Sequence, residues 1–179
     1  MKKMYLNCIA VLMVFSMISC SAKESGDTVN KRVPFNDADI SGMVLKGRDI
    51  SPGEFLFAGM ADFPEAEAFI VSFILSENRQ EIRDVRINLI NLNLILNDGS
   101  RKIVLAGNDI AKSYFSRHDV INGNIEATNG SDYRLILTLD GEMARGTIEF
   151  TYNHNAGSGR TTAVDMGSQP IVCIGGPVE

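Results

Sequence analysis

The stretch "YRLILTLDGEMARGTIEFTY" alternates in polarity with a period of two, which sets the strongest limit on what this chain can become. Tyr133, Leu135, Leu137 and Leu139 fall on one side, and Ile148, Phe150 and Tyr152 repeat the pattern, while Arg134, Thr138, Glu149 and Thr151 fall on the other. A helix would scatter these residues around its axis, whereas a strand places them on one apolar and one polar face. Between the two runs, Asp140-Gly141 supplies residues that accept a positive φ, so the segment predicts a β-hairpin, with Gly146 marking a bulge.

The same reading extends along the chain. Val85, Ile87 and Leu89 alternate in one phase and Ile90, Leu92, Leu94 and Leu96 in the opposite one. A one-residue slip turns every side chain over, so the phase change requires a bulge, a bend or two separate strands. Asp98-Gly99 then turns the chain toward Ile103–Leu105, a second hairpin. "AFIVSFIL" is apolar on both parities, as a central strand would be; "GEFLFAGM" and "DISGMVL" are weaker strand signals. After Asn108, a good N-cap, Ile110, Ala111, Tyr114, Phe115 and His118 follow helical spacing and predict one short helix. Many strands separated by turn signals, with at most one short helix, predict an all-β fold: an antiparallel β-sandwich of immunoglobulin-like character spanning 35–179 as a single domain.

The N-terminus follows different rules. Lys2 and Lys3 precede an apolar run from Met4 to Ile18, and "SCSAKES" then turns polar. This is the layout of a secretory signal over 1–19, shorter than the roughly 20 apolar residues of a membrane span. Met17-Ile18-Ser19-Cys20 resembles the lipobox of bacterial lipoproteins, with Met17 where leucine is usual. The resemblance implies recognition of Met17, Ile18 and Ser19 by a dedicated signal peptidase, lipid attachment at Cys20, and palmitate and diacylglycerol chains as the anchor. With Ser21 rather than aspartate after the cysteine, it further implies export to the outer membrane, on its periplasmic or surface face. Residues 20–34 are polar and aperiodic and read as a flexible tether, able to reach about 45 Å when extended.

Cleavage before Cys20 would remove two of the 17 basic residues and none of the 22 acids, leaving a net charge of −7. An acidic chain without a basic cluster is a poor fit to nucleic acid, so attachment to a membrane falls to the acyl chains. With Cys8 in the leader and Cys20 acylated, Cys173 stands alone, and its neighbours Val172 and Ile174 make it a buried apolar residue.

Chemistry-bearing motifs are sparse. His118 sits between Arg117 and Asp119, with no HExxH or CxxC spacing nearby, so the sequence offers no zinc site and no cofactor motif. His154, Asn155, Gly157, Ser158, Gly159 and Arg160 form a glycine-rich loop whose amides could cradle an anion, but it lacks the Gly-Lys-Ser/Thr ending, and Ala156 breaks a Gly-x-Ser-x-Gly elbow. It is the first loop to test for ligand contact. Asp37, Asp39, Ser41 and Gly42 copy the first half of a calcium loop, yet its twelfth position is Arg48. Asp62, Glu65 and Glu67 suggest an acidic surface, and Asn88, Asn91 and Asn93 either a polar sugar-binding face or a strand edge exposed to water.

These features favour a non-enzymatic envelope lipoprotein that binds a protein or glycan partner through loops or a strand edge. The rivals are a hydrolase using His118 or His154, and an assembly subunit that pairs through a sheet edge. Cys20→Ala should abolish incorporation of labelled palmitate into the protein; unchanged labelling would remove the basis for the anchor.

Overall fold

A computed structural model describes residues 42–95, 102–105, 110–155 and 161–177. The chain divides into two compact units, Met1–Arg48 and Asp49–Glu179. In the first, 42–45 form one helical turn, with the Lys46 amide donating to the Gly42 carbonyl at 3.0 Å, where the sequence pattern suggested a strand. The lipobox residues 17–20, the tether and Asp37–Ser41 of the calcium-like motif lie outside the described residues.

The second unit contains eleven strands: β1 (Phe55–Ala61), β2 (Ala68–Leu75), β3 (Glu81–Ile90), β4 (Leu92–Ile95), β5 (Lys102–Leu105), β6 (Ile110–Tyr114), β7 (His118–Ile121), β8 (Asn124–Asn129), β9 (Tyr133–Asp140), β10 (Met143–Asn155) and β11 (Thr161–Pro177). All pairings are antiparallel. The order β2-β1-β11-β10-β9-β8-β7-β3, with β3 pairing back to β2, closes eight strands into a barrel. β6 lies beside β3 outside this ring, and β4–β5 form a separate hairpin.

The immunoglobulin-like sandwich expected from the sequence is therefore wrong, although the all-β class holds. Alternation shows that each strand has one buried face, but not whether that face meets a second sheet or the far wall of its own sheet. Closure decides between them, and it occurs between the first and last barrel strands: Phe55 stands opposite Pro177 and Ala61 opposite Ile171. Gly59 permits that contact, since a Cβ there would lie 2.2 Å from the Val172 carbonyl oxygen.

The inward side chains fill the barrel. Phe57, Phe69, Val71 and Phe73 meet Ile82, Val85, Ile87, Leu135, Leu137, Ile148 and Phe150 in one cluster, with Phe57 and Phe73 stacked at 5.2 Å between ring centroids. Cys173 is fully buried there, and burial pushes its thiol up to about 12, so it behaves as an apolar side chain. Both parities of β2 are buried, including the outward Ile70, Ser72 and Ile74, which accounts for its continuous apolar run.

The β9–β10 hairpin forms as expected, turning through Gly141 and Glu142 between Asp140 and Met143. Its predicted bulge is absent: Gly146 pairs with Leu137 in unbroken register, and its role is close approach, because a Cβ would stand 1.9 Å from the Ile136 carbonyl oxygen. The irregularities lie elsewhere, in β3 at Asp84 (φ 48°) and in β11 at Gly167 (φ 67°). The phase change after Leu89 resolves into two strands separated by Asn91 (φ 47°).

The expected helix after Asn108 is strand instead. β6 pairs with β3 from Val85–Tyr114 to Leu89–Ile110, and β7 continues along the same edge at Glu81 and Ile82. Period three to four over so short a stretch does not exclude a broken strand, and the exposed Phe115 marks the break. Gly146→Ala should lower the free energy of unfolding by about 2 kcal/mol or more, read by urea denaturation, because a backbone carbonyl cannot move aside as a flexible side chain can.

Candidate functional site

One end of the barrel gathers a group of charged side chains with defined partners. Three features build it: the β2–β3 turn, the β7–β8 turn and the segment entering β1. In the first, the Ser76 hydroxyl donates to Asn78 Oδ1 at 2.8 Å and accepts from the amides of Gln80 and Glu81, while Arg79 adopts φ 58°. The Arg79 guanidinium then lies 4.6 Å from the centroid of the Phe55 ring and donates to the Gly141 carbonyl at 3.1 Å, linking the β2–β3 turn to the β9–β10 turn. In the second, Asn122 and Gly123 have φ of 52° and 77°, the two-residue geometry that keeps twisted strands paired.

Two ion pairs complete the rim. Arg83 reaches Glu54 with Nη2 at 2.6 Å and Nε at 3.1 Å, and also donates to the Asp49 carbonyl at 2.8 Å. Burial works against ionisation of Glu54, but hydrogen bonds from Arg83 and the Ser51 amide, with the nearby positive charge, outweigh it and hold the carboxyl below its usual range. Arg117, 70% exposed, donates to Glu81 at 2.9 Å. Together with Arg79 and Asp119 these groups line an open depression of about 970 Å³. Three guanidinium groups and three carboxylates balance in charge, so the cleft can offer paired, charge-assisted hydrogen bonds to a polar ligand.

The sequence-predicted residues fall elsewhere. His118 begins β7, with Nε2 lying 3.3 Å from the Tyr133 hydroxyl. Tyr133 packs on Tyr114 at 4.6 Å between centroids, and the Tyr114 hydroxyl donates to Asp132 at 3.4 Å. Burial raises both phenols, Tyr133 to about 12. Thus the described partner of His118 is a phenol rather than a nucleophile held beside a carboxylate. His154 and Asn155 end β10 opposite Thr162 and Thr161, and Gly157–Arg160 lie outside the described residues. Asn88 and Asn91, expected on an exposed edge, are buried, and Asn91 donates to Glu67.

Among the described residues, no group of three His, Cys, Asp or Glu side chains could hold a metal ion, and no helix is long and apolar enough to cross a membrane. The end cleft itself escaped the sequence reading. Asn122-Gly123 is a hairpin signal in plain view, but nothing local joins Glu54 to Arg83 or Glu81 to Arg117. Comparison of the chain with protein-family models, curated proteins and solved structures found no match.

His118, outside the cleft, gives the fold's stability a pH dependence. Burial, opposed by the neighbouring Asp119 charge, sets its pKa below the ordinary 6.5. The unfolded chain then binds the proton more tightly than the folded one. Its contribution to stability is complete above pH 6.5 and is lost as pH falls from there through the folded value. Denaturation of wild type and His118→Gln across pH 5 to 7.5 should show the variant losing less stability on acidification; parallel curves would exclude this role.

Proposed function

We propose that this chain is a membrane-anchored envelope lipoprotein whose barrel is a non-enzymatic recognition module. Acyl chains on Cys20 hold it to the outer membrane, and the cleft at the barrel end meets a protein or glycan component of the envelope. The anchor is supported by the charged start, the apolar run and the Met17-Ile18-Ser19-Cys20 motif. More than one acyl chain gives stable attachment where a single chain would not.

The observation that carries the recognition reading is the contrast between a lumen filled by side chains and an open, ion-paired cleft at its end. A filled barrel leaves its ligand chemistry to the rims and outer wall. Charge-balanced walls suit a polar, hydrogen-bonding partner better than a polyanion. Arg117 is the most suitable side chain to test, since it is exposed and pairs with Glu81 on the same rim.

Capture from solubilised envelope by the lipidated protein should recover a component that Arg117→Glu fails to recover, with the circular dichroism spectrum of the folded barrel retained. Equal recovery by the variant would exclude the cleft as the recognition surface.

A further inference from the structure

We propose that the cleft at the barrel end binds an uncharged stretch of a polysaccharide chain. This deepens the recognition reading and rests on the cleft being the surface that meets the partner.

The polar side chains of the cleft divide into those already held and those left over. Arg83 commits its fork to Glu54 and the Asp49 carbonyl, and Arg79 lies on the Phe55 ring with a hydrogen bond to the Gly141 carbonyl. A charged ligand must displace such a pair before it gains a contact, and the balanced walls supply no net field to draw it in. Left over, among the described residues, are the Asp119 carboxylate and the side-chain amides of Gln80 and Asn122, which line the cleft without a hydrogen-bond partner. Asp119 stands opposite Glu81 in the β3–β7 ladder, and Arg117, two residues before it, is bound to Glu81. A positive charge is therefore already in place beside the free carboxylate. Asn78 turns its Oδ1 to the Ser76 hydroxyl and the Gln80 amide, which leaves its NH2 group as a donor.

Two adjacent turns bring these groups together. The Val120 amide donates to the Gln80 carbonyl at 2.8 Å, so the β2–β3 turn and β7 run side by side. A sugar ring presents hydroxyls on neighbouring carbons, each of them a donor and an acceptor. One carboxylate accepts from two such hydroxyls, and a primary amide donates to one while accepting from the next. Hydrogen bonds to Asp119 are charge-assisted even when the ligand itself is neutral. Ile121, 66% exposed in the same lining, offers an apolar surface to the C–H face of the ring.

The main chain argues against an extended peptide, which is held by a row of unpaired amides and carbonyls. Here the Arg79 amide donates to the Ser76 carbonyl, the Gln80 and Glu81 amides to the Ser76 hydroxyl, and the Val120 amide to the Gln80 carbonyl. A ligand thus meets side chains. The depression of about 970 Å³ is at the upper end of the roughly 300–1,000 Å³ of ligand sites, and it is open. Several rings along a chain suit it better than one enclosed terminal ring.

The test uses the full-length lipidated protein in amine-oxide detergent micelles, which carry no sugar headgroup. The probes are neutral trisaccharides of glucose, mannose, galactose and N-acetylglucosamine, with trimers of galacturonate and glucosamine as charged counterparts at about pH 6, where both ionise. Calorimetry should find a neutral trimer binding with a Kd of about 1 mM or tighter. Added salt should change that value less than about twofold. Backbone amide shifts should move at 78–81 and 119–123. Asp119→Asn should weaken binding about tenfold or more. Asn122→Asp, which tolerates the φ of 52° but removes the amide donor, should also weaken it. Both side chains are exposed, and the shifts in the wild type decide the location without either variant. If no neutral trimer binds while Arg117→Glu still loses the envelope component, the cleft recognises something other than sugar, and this proposal falls while the recognition reading stands. If Arg117→Glu loses nothing as well, both fall. Equal or tighter binding of a charged trimer, shifts confined to another face, or unchanged affinity in both variants also overturns the proposal.

Discussion

Pairing of β1 with β11 is the contact on which the rest of the barrel depends. It joins Phe55 to Pro177, residues at opposite ends of the second unit, and converts a curled meander into a ring with no outer edge at either strand. The contact is also the costliest in loop entropy, because nearly the whole unit must be ordered before its ends can meet. β11 meets this demand by its length. Over seventeen residues it pairs with β10 along one side and with β1 along its C-terminal part on the other, and the irregularity at Gly167 lets it change direction between its distal and barrel portions. Gly59 then allows β1 to approach more closely than any side chain would permit.

Closure determines where chemistry can occur. An eight-stranded ring encloses a space that side chains can fill, and here phenylalanine, isoleucine and leucine fill it. The outward faces of β8, β9 and β10 carry Glu126, Arg134, Thr138 and Glu149, which is the reverse of the apolar outer band required by a barrel embedded in lipid. Polar side chains are thereby left to the rims, turns and outer wall, where residues distant in sequence meet. The Arg83–Glu54 contact illustrates this. It brings together the strand after one turn and the segment preceding the first barrel strand, and it exists only because the β2–β3 hairpin folds back beside β1.

Local features were legible in the sequence to the extent that local physics produced them. The β9–β10 hairpin, the inward set Tyr133, Leu135 and Leu137, and the double-sided burial of β2 follow from alternation and turn chemistry alone. The break at Asn91 followed from a phase change, although its form did not. Barrel and sandwich impose the same alternation on each strand, so the choice between them was invisible; it rests on which strand meets the last one. β6 was misread for a related reason. Its residues satisfy helical spacing over one and a half turns, and only the available edge of β3 selects the extended form. Of the candidate site residues, His118 is placed beside a phenol that no sequence spacing linked to it, and the cleft arginines carry no motif.

The same closure explains why β7 is the weakest part of the wall. Each of its two ladders contains two residue pairs, so it contributes few of the hydrogen bonds that lock the longer strands. Other contacts take over part of the work: the Val120 main-chain amide donates to the Gln80 carbonyl, the Arg117 side chain holds the approach to β7 against Glu81 on β3, and the His118 side chain meets Tyr133 on β9. Exposed ion pairs contribute little individually, and His118 loses its neutral form as the solution becomes acidic. Local opening should therefore begin at β7 rather than at the β10–β11 ladder, where thirteen-residue and seventeen-residue strands run side by side. A barrel that must close, but closes through one short strand, concentrates its conformational freedom at that strand.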